Sequence, residues 1–473
     1  MSIQLFGGGK MEFINRETEL KYLNYLWAEN KAHLVIVYGK RRVGKTSIIK
    51  EFLKNKESIY FLADKITEQE NIKLLSQKIG DYFNDSFIKG RGFSDWYQIF
   101  EYLKKKNEHI VFAIDEFPYL VEANKGISSI FQHGWDEELK NSKILVILSG
   151  SSIGMMETET LDYKAPLYGR RSGQILVKPL TFNQSWKFFP SLKFDDFINV
   201  HTIVGGTPAY LLQFDKHLSV NENLRKHIFS PTDYLYNEIE FILREELREP
   251  RTYVSILRAV AYGKRKFGEI VNDTGLQKNI IMKYLHILED LHLIVKEVPV
   301  TEKNPQLSKR GLYRLSDQYF IFWFNYVFPY KSELEMGKTE LVFRKLKQTF
   351  NTLVADNYER IAIEILREQP DRVFPFLKIG RWWEKNEEID IVATNDEENK
   401  ILFCEVKWSN KQVGTNIFDD LKRKAKNVKW GKEGRKEYYI LFSKSGFTDA
   451  MMKLAKQERV HLVNKNELID MHE

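Results

Sequence analysis

At 473 residues the chain exceeds what one ordinary hydrophobic core supports, so roughly two to four domains are expected. With 43% hydrophobic and 29% charged residues it is neither a disordered nor a membrane composition; its longest apolar stretch, Phe320 to Phe328, contains Asn325, is far too short to cross a bilayer and is expected to be core. The formal net charge of +7 permits an anionic partner without requiring one.

The single cysteine, Cys404, lies in an apolar run, which excludes an intrachain disulfide and a cysteine-rich zinc site and fits a reducing cytoplasm. Residues 1–10 carry Gly7-Gly8-Gly9 and no long apolar segment, so a disordered leader is expected there rather than a secretory signal, with globular sequence from about Met11.

Leu34 to Tyr38 is a buried-strand pattern. It ends in Gly39-Lys40-Arg41-Arg42-Val43-Gly44-Lys45-Thr46, and from Ser47 to Leu53 a helix follows with Ile48, Ile49 and Phe52 on one side. A phosphate site needs converging backbone N–H groups, glycine where a side chain would block the anion, and a helix whose positive end faces it. This segment supplies all three. Lys45 is expected to reach the β and γ phosphates of ATP, with the Thr46 hydroxyl on magnesium.

Strand-like runs follow at Ser58 to Leu62, Ile110 to Ile114 and Ile144 to Leu148, separated by helical stretches such as Ile72, Leu75, Ile79 and Phe83. This alternation predicts an α/β unit over residues 11–180, a mostly parallel sheet with helices on both faces. Asp115 and Glu116 close the Ile110 strand, Asp115 as a magnesium holder and Glu116 as the general base for the attacking water. Ser149 and Ser151, after the next strand, are candidate γ-phosphate sensors, although Ser-Gly-Ser-Ser is also ordinary turn chemistry. Residues 181–235 read as a helical lid, broken at Gly205-Gly206-Thr207-Pro208.

Five ordered motifs of residues 11–235 carry a resemblance to the archaeal-type P-loop ATPases of the STAND and AAA+ group: Phe13-Ile-Asn-Arg-Glu17 with Leu20, the Gly39–Thr46 loop, Ile114-Asp-Glu-Phe117, Pro166-Leu-Tyr-Gly-Arg170-Arg171, and Gly205-Gly-Thr-Pro208. The resemblance implies that the Arg16-Glu17 segment packs near the adenine and that Arg170 or Arg171 senses the γ-phosphate. A plain surface pair of arginines is the alternative. An arginine acting in trans would imply a homo-oligomer.

Thr252 to Tyr262, Lys266 to Asn272 and Gln277 to Leu291 read as three helices of a unit spanning residues 236–328. In the third, Ile281, Leu285 and Leu288 recur at helical spacing, which leaves Lys278, Asn279, Lys283 and His286 outward. Leu293 to Val300 and Gly311 to Leu315 complete a hairpin whose loop carries Lys303, Lys309 and Arg310. This unit resembles winged helix-turn-helix domains, with DNA as the implied partner and protein docking as the alternative.

After a linker at 329–339, a fresh αβ pattern covers residues 340–473. Glu388 to Ala393 and Ile401 to Trp408 form a hairpin, and alternation along it puts Glu405 and Lys407 on one face, within reach of Asp390 on the neighbouring strand. Two carboxylates there can hold magnesium, and the lysine can orient or help deprotonate water. The residues resemble the PD-(D/E)xK nuclease fold, with Ile389 in place of the leading proline, Glu359 at its helical acid, Arg381-Trp-Trp383 ahead of the first strand and Tyr438 to Phe442 as a later one. A plain cross-strand Glu–Lys pair is the structural alternative. Lys422, Arg423, Lys424, Lys426 and Lys429 either track a phosphate backbone or form one solvated helix face.

Together these features predict an ATP- and magnesium-dependent switch that hydrolyses ATP and acts on DNA, without a membrane segment. Two rivals fit the same residues: a signalling scaffold ATPase with no nucleic-acid role, and a DNA-binding ATPase whose last domain does not cut.

Overall fold

The computed structural model describes residues 13–247, 249–370 and 373–469. The expected leader, residues 1–10, and the expected start near Met11 lie outside the described residues. The chain forms two compact units, one of residues up to Leu180 together with Thr207–Ala209, the other of Thr181–Gly206 and Tyr210 onward. Among the described residues no helix is long and apolar enough to cross a membrane.

The first unit is built on a five-stranded, wholly parallel sheet. Its strands are β1 (His33–Tyr38), β2 (Ser58–Leu62), β3 (Val111–Asp115), β4 (Leu145–Gly150) and β5 (Gly173–Leu176), in the order β2-β3-β4-β1-β5. Strands covered on both faces must be apolar at successive positions. Accordingly Leu34, Ile36, Phe112, Ile114, Val146 and Leu148 enter one core, while Val35, Val37, Val111, Ala113, Leu145 and Ile147 enter a second core on the other face. Register aligns the strand ends: Tyr38 pairs with both Gly150 and Leu176, and Leu62 with Asp115. The loops after β1, β3 and β4 therefore share the carboxyl edge, where open α/β sheets bind ligands. The edge strand β5 escapes a hydrophobic-run reading because it is four residues long and starts Gly-Gln.

In the second unit, helices Pro250–Ala261, Phe267–Thr274 and Lys278–Asp290 precede an antiparallel hairpin of β6 (Ile294–Glu297) and β7 (Leu312–Leu315). Gly275, at φ 66°, ends the middle helix in the left-handed conformation that glycine tolerates. Six further strands, β8 (Lys378–Glu384), β9 (Glu387–Asn395), β10 (Lys400–Lys407), β11 (Lys436–Ser443), β12 (His461–Asn464) and β13 (Glu467–Ile469), form a mixed sheet in the order β13-β12-β11-β10-β9-β8.

Three boundaries differ from the sequence reading. Residues 181–206, the first part of the expected lid, group with the second unit, and helix Phe194–Val204 buries side chains on nearly every side. The 329–339 segment is no bare linker; it holds a short helix, Lys331–Glu335, and the Lys331 ammonium lies 2.6 Å from Glu240. Arg381-Trp-Trp383 lies inside β8 instead of ahead of the first strand.

The 30-residue helix Thr339–Glu368 organises this unit. Its Asn357 amide donates to Thr202 Oγ1 at 2.9 Å and lies 3.2 Å from His201 Nδ1. One turn from its end, Glu364 accepts the Phe182 N–H at 2.7 Å, and Glu368 accepts from the Thr181 hydroxyl and the Asn183 amide at 2.9 and 2.7 Å. One helix thus holds both stretches of chain that adjoin the unit boundary in sequence.

Candidate functional site

At the first unit's carboxyl edge, Gly39 leaves β1 at φ 150°, and a Cβ built there would lie 2.3 Å from the Val177 carbonyl oxygen. Only glycine fits so close an approach. Gly44, at φ 98°, then starts helix Lys45–Leu53, so the loop's N–H groups and the helix's positive end face the same region. The buried Lys45 ammonium donates to the carbonyls of Gly39 and Lys40, both at 2.9 Å, which sets a cation inside the loop.

Asp115, fully buried at the end of β3, gathers hydroxyls. It accepts from Thr46 Oγ1 at 2.6 Å, from the Tyr60 hydroxyl at 2.8 Å and from the Ser149 hydroxyl, and its carboxylate also receives the Glu116 N–H at 3.1 Å. The Thr46 and Asp115 oxygens meet, so both hard donors fit one small divalent cation. Glu116 has φ 56° and turns to Ser151, accepting from its N–H at 3.2 Å and its hydroxyl at 2.8 Å. Ser149 and Ser151 are thereby each held by one member of the acidic pair. Tyr60 was not legible as part of this site; its only trace is a polar ring tip within the apolar β2 pattern. Burial, then Asp115, pushes its hydroxyl well above the ordinary range, so it remains a donor.

Arg16 sits at φ 79° before helix Glu17–Ala28 and is buried. Its guanidinium donates to the carbonyls of Val43 at 2.9 Å and Lys178 at 2.8 Å and to Glu19 at 3.1 Å, strapping the phosphate loop to the segment after β5. Glu17 is exposed in that helix's first turn, where a carboxylate suits the positive end. Ser47 is likewise exposed, one residue beyond Thr46. Arg170 pairs with Asp136 at 2.9 Å and bonds the Pro166 and Tyr168 carbonyls. Arg171 donates to the carbonyls of Thr160 and Leu161, both at 3.3 Å. Its charge also reaches the Tyr38 phenol at the end of β1, where it opposes the upward push of burial and Glu157.

The second unit has its own acidic site. The β9–β10 register sets Cys404 opposite Ile391, which brings Asp390 beside Glu405 and Lys407. Asp390 accepts the Val406 N–H at 2.8 Å, and the Lys407 ammonium lies 2.7 Å from Glu405 and 3.7 Å from Asp390. Burial, then Asp390, raises the Glu405 carboxyl above the ordinary carboxylate range, and the same two causes push Glu359, on the long helix, up to about 8. Arg381 approaches Glu359 at 3.9 Å. Burial disfavours the Lys407 cation, yet Asp390 and Glu405 outweigh it and hold its pKa above the usual lysine value. Among the described residues no three His, Cys, Asp or Glu side chains gather as a metal-holding group, so Glu359 does not join Asp390 and Glu405 as a ready third ligand. Glu405 Oε2 is nonetheless buried without a hydrogen-bond partner. A buried carboxylate oxygen left orphaned fits a cation donor.

Lys424, on helix Thr415–Ala425, joins this site at 3.4 Å from Glu405 and 3.1 Å from Asp420. The sequence offered one hint, the i,i+4 spacing of Asp420 and Lys424. Its neighbours are engaged elsewhere: Arg423 pairs with Glu387 and with Asp420 at 2.8 Å, and Lys422 with Glu458 at 3.1 Å. Of the five basic residues read as either a phosphate track or one solvated helix face, Lys422, Arg423 and Lys424 thus each have a carboxylate partner.

Residues 13–214 match the family model described as an ATPase domain predominantly from Archaea. Residues 323–424 match a second, described as archaeal and bacterial proteins of unknown function. An uncharacterized protein of Methanocaldococcus jannaschii is 36% identical over 437 residues, which cover 91% of this chain and 95% of that protein. A shorter uncharacterized ATP-binding protein of the same organism is 57% identical over 49 residues, 10% of this chain and 83% of its own length. Among solved structures, the Walker-type ATPase of Pyrococcus abyssi superposes with a TM-score of 0.50 at 24% identity, over 66% of this chain and 96% of that one. That likeness concerns the fold. The near full-length match to the M. jannaschii relative, with the ATPase domain inside it, establishes that this chain belongs to the family of P-loop ATPases built on the ATPase domain predominantly from Archaea.

Proposed function

We propose that the chain is an ATP-hydrolysing switch that acts on DNA through a winged helix and a metal-dependent, nuclease-like site. The convergence of Asp390, Glu405 and Lys407 at the β9–β10 hairpin, with an orphaned Glu405 oxygen, carries this reading.

In the first unit, Lys45 binds the β and γ phosphates, the loop Gly39–Thr46 cradles them, and Arg16 keeps the loop in place. Thr46 and Asp115 would hold a magnesium ion, which would supply charge neutralisation at the phosphates. Glu116 orients the attacking water and takes its proton, which requires it to exchange its bonds to Ser151 for the water. Arg170 or Arg171 senses the γ-phosphate; in this structure Arg170 is paired with Asp136, and Arg171 donates to the Thr160 and Leu161 carbonyls.

For the second unit, helix Lys278–Asp290 exposes Lys278, Asn279, Lys283 and His286 and buries Ile281, Leu285 and Leu288, the division a recognition helix needs. A divalent cation at Asp390 and Glu405 would supply Lewis acidity at a phosphodiester. Lys407, held protonated by the two carboxylates, stabilises negative charge and orients water rather than acting as the base. The helix that carries Glu359 also bonds Thr181 to Asn183 and His201 to Thr202, which supports a switch linking nucleotide state to this site.

The test is nicking of supercoiled plasmid with magnesium or manganese. Nicking is expected from the wild type and lost in Asp390→Ala and Lys407→Ala. The lack of a three-ligand acidic group among the described residues favours a second reading, in which the domain holds DNA without cutting it. Its signature is ATP turnover and DNA binding with no nicking under any condition.

A further inference from the structure

Away from the acidic site, the second unit has two clefts that share Glu302 and Lys378. One, of about 670 Å³, lies between the 301–303 segment of the β6–β7 loop and the 426–435 turn after helix Thr415–Ala425. Six cations line it, Lys303, Lys378, Lys426, Lys429, Lys432 and Arg435, against three carboxylates, Glu302, Asp396 and Glu433. Glu302 is taken by Arg310 at 2.7 Å, and Asp396 by Lys378 at 3.6 Å and the Trp430 indole N–H at 3.1 Å. Lys303, Lys426, Lys429 and Lys432 are all exposed, and none pairs with a carboxylate among the described residues.

Both walls are braced. The Arg435 guanidinium donates to the carbonyls of Ala425, Val428 and Trp430, and the Lys432 N–H is held by Asn399 at 2.9 Å, so the turn bearing Lys429 and Lys432 is fixed. Opposite, the Val300 N–H donates to the Arg381 carbonyl of β8 at 2.9 Å, and Glu302 gathers Ser308 and Arg310 beside Lys303. A lysine cluster on a rigid frame differs from scattered solvated lysines: its charges stay in register with a repeating anion. The adjoining cleft, about 560 Å³, is mostly apolar, lined by Val298, Pro299, Phe376, Leu377 and Ile379 with Glu302, Arg367 and Lys378 also on its walls, and Leu377 is 58% exposed.

We propose that the two clefts form one track for a single-stranded nucleic acid, its phosphates over Lys303, Lys426, Lys429 and Lys432 and its bases against Pro299, Phe376 and Leu377. Single-strand sites combine a basic groove with apolar or aromatic surfaces for the bases. A single strand can turn its bases toward the second cleft while its phosphates follow the lysines, whereas a duplex keeps its bases stacked and paired inside. The proposal rests on the DNA reading above and assigns the strand separately from the exposed face of helix Lys278–Asp290.

The experiment is fluorescence anisotropy with an oligothymidine of about 15 nucleotides and a duplex of similar length, across a salt series, using the full chain. Replacing the four lysines together by alanine is expected to weaken oligothymidine binding at least about tenfold. The log–log salt slope should flatten by about 0.7 for each phosphate that is no longer neutralised. Phe376→Ala with Leu377→Ala should weaken the same binding while leaving the slope unchanged, and duplex binding should survive both changes. Unchanged thermal midpoints serve as the fold control. Oligothymidine affinity unaltered in both variants overturns the track while leaving the DNA reading intact. Equal loss of duplex and single-strand binding overturns the single-strand assignment. A wild type that binds neither probe at low salt removes the DNA reading and this proposal with it.

Discussion

Gly39→Ala puts the nucleotide loop's geometry to a stability test. The new Cβ would sit 2.3 Å from the Val177 carbonyl oxygen and 3.2 Å from its carbonyl carbon, and both are backbone, so no side chain can swing away. Relief requires β1 and the segment after β5 to part at the point where the Val177 N–H donates to Tyr38 at 2.7 Å. Overpacking costs about 1–3 kcal/mol, a non-glycine residue at φ 150° about 1–2, and a lost backbone hydrogen bond about 1. Allowing for partial overlap among these terms, a loss on the order of 3–5 kcal/mol is expected. Urea denaturation reads it directly, and nucleotide affinity should fall in parallel because Lys45 takes its position from the Gly39 carbonyl. A change under about 1 kcal/mol with undiminished ATP affinity would refute the close approach on which this geometry depends.

Tyr60→Phe removes one of four donors to the buried Asp115 and should cost about 1–2 kcal/mol in the same urea assay; no change would mean the bond carries nothing. Glu116→Gln should keep ATP affinity and abolish turnover, measured by phosphate release, whereas Lys45→Ala should lose affinity itself. Glu364→Gln tests a pH effect. Burial raises the Glu364 carboxyl from 4.5 to about 7, so its contribution to stability is fully present below pH 4.5 and is lost as pH rises through 7. The neutral glutamine can accept the same Phe182 N–H. It should therefore be more stable than the wild type at pH 8.5 by roughly 2–3 kcal/mol, with the advantage vanishing below about pH 4.5. Equal unfolding midpoints at pH 8.5 would contradict that assignment.

Much of the fold was legible because its signals are local. Buried parallel strands write themselves as apolar runs, and the β1, β3 and β4 runs end in the residues that the sheet register brings to one edge. The β9–β10 hairpin could be read the same way, since alternation alone puts Glu405 and Lys407 on one face. What stayed hidden depends on contacts between distant segments. Tyr60 reaches Asp115 only once β2 lies beside β3, and Lys424 reaches Glu405 only once its helix packs against β10. The resemblance implies that the Arg16-Glu17 segment packs near the adenine; the bonds of Arg16 to Val43 and Lys178, a strap across the phosphate loop, are a further contact that no spacing encodes. The lysine cleft needed both the β6–β7 loop and the 426–435 turn, segments far apart in sequence.

An ATP-controlled site in the second unit is tested most directly by plasmid nicking with and without ATP, comparing the wild type with Lys45→Ala and Asp390→Ala. The expected result is a nicking rate that ATP changes in the wild type, that no longer responds to ATP in Lys45→Ala, and that is absent in Asp390→Ala. A wild-type rate identical with and without ATP, while the same preparation turns ATP over, would contradict the switch.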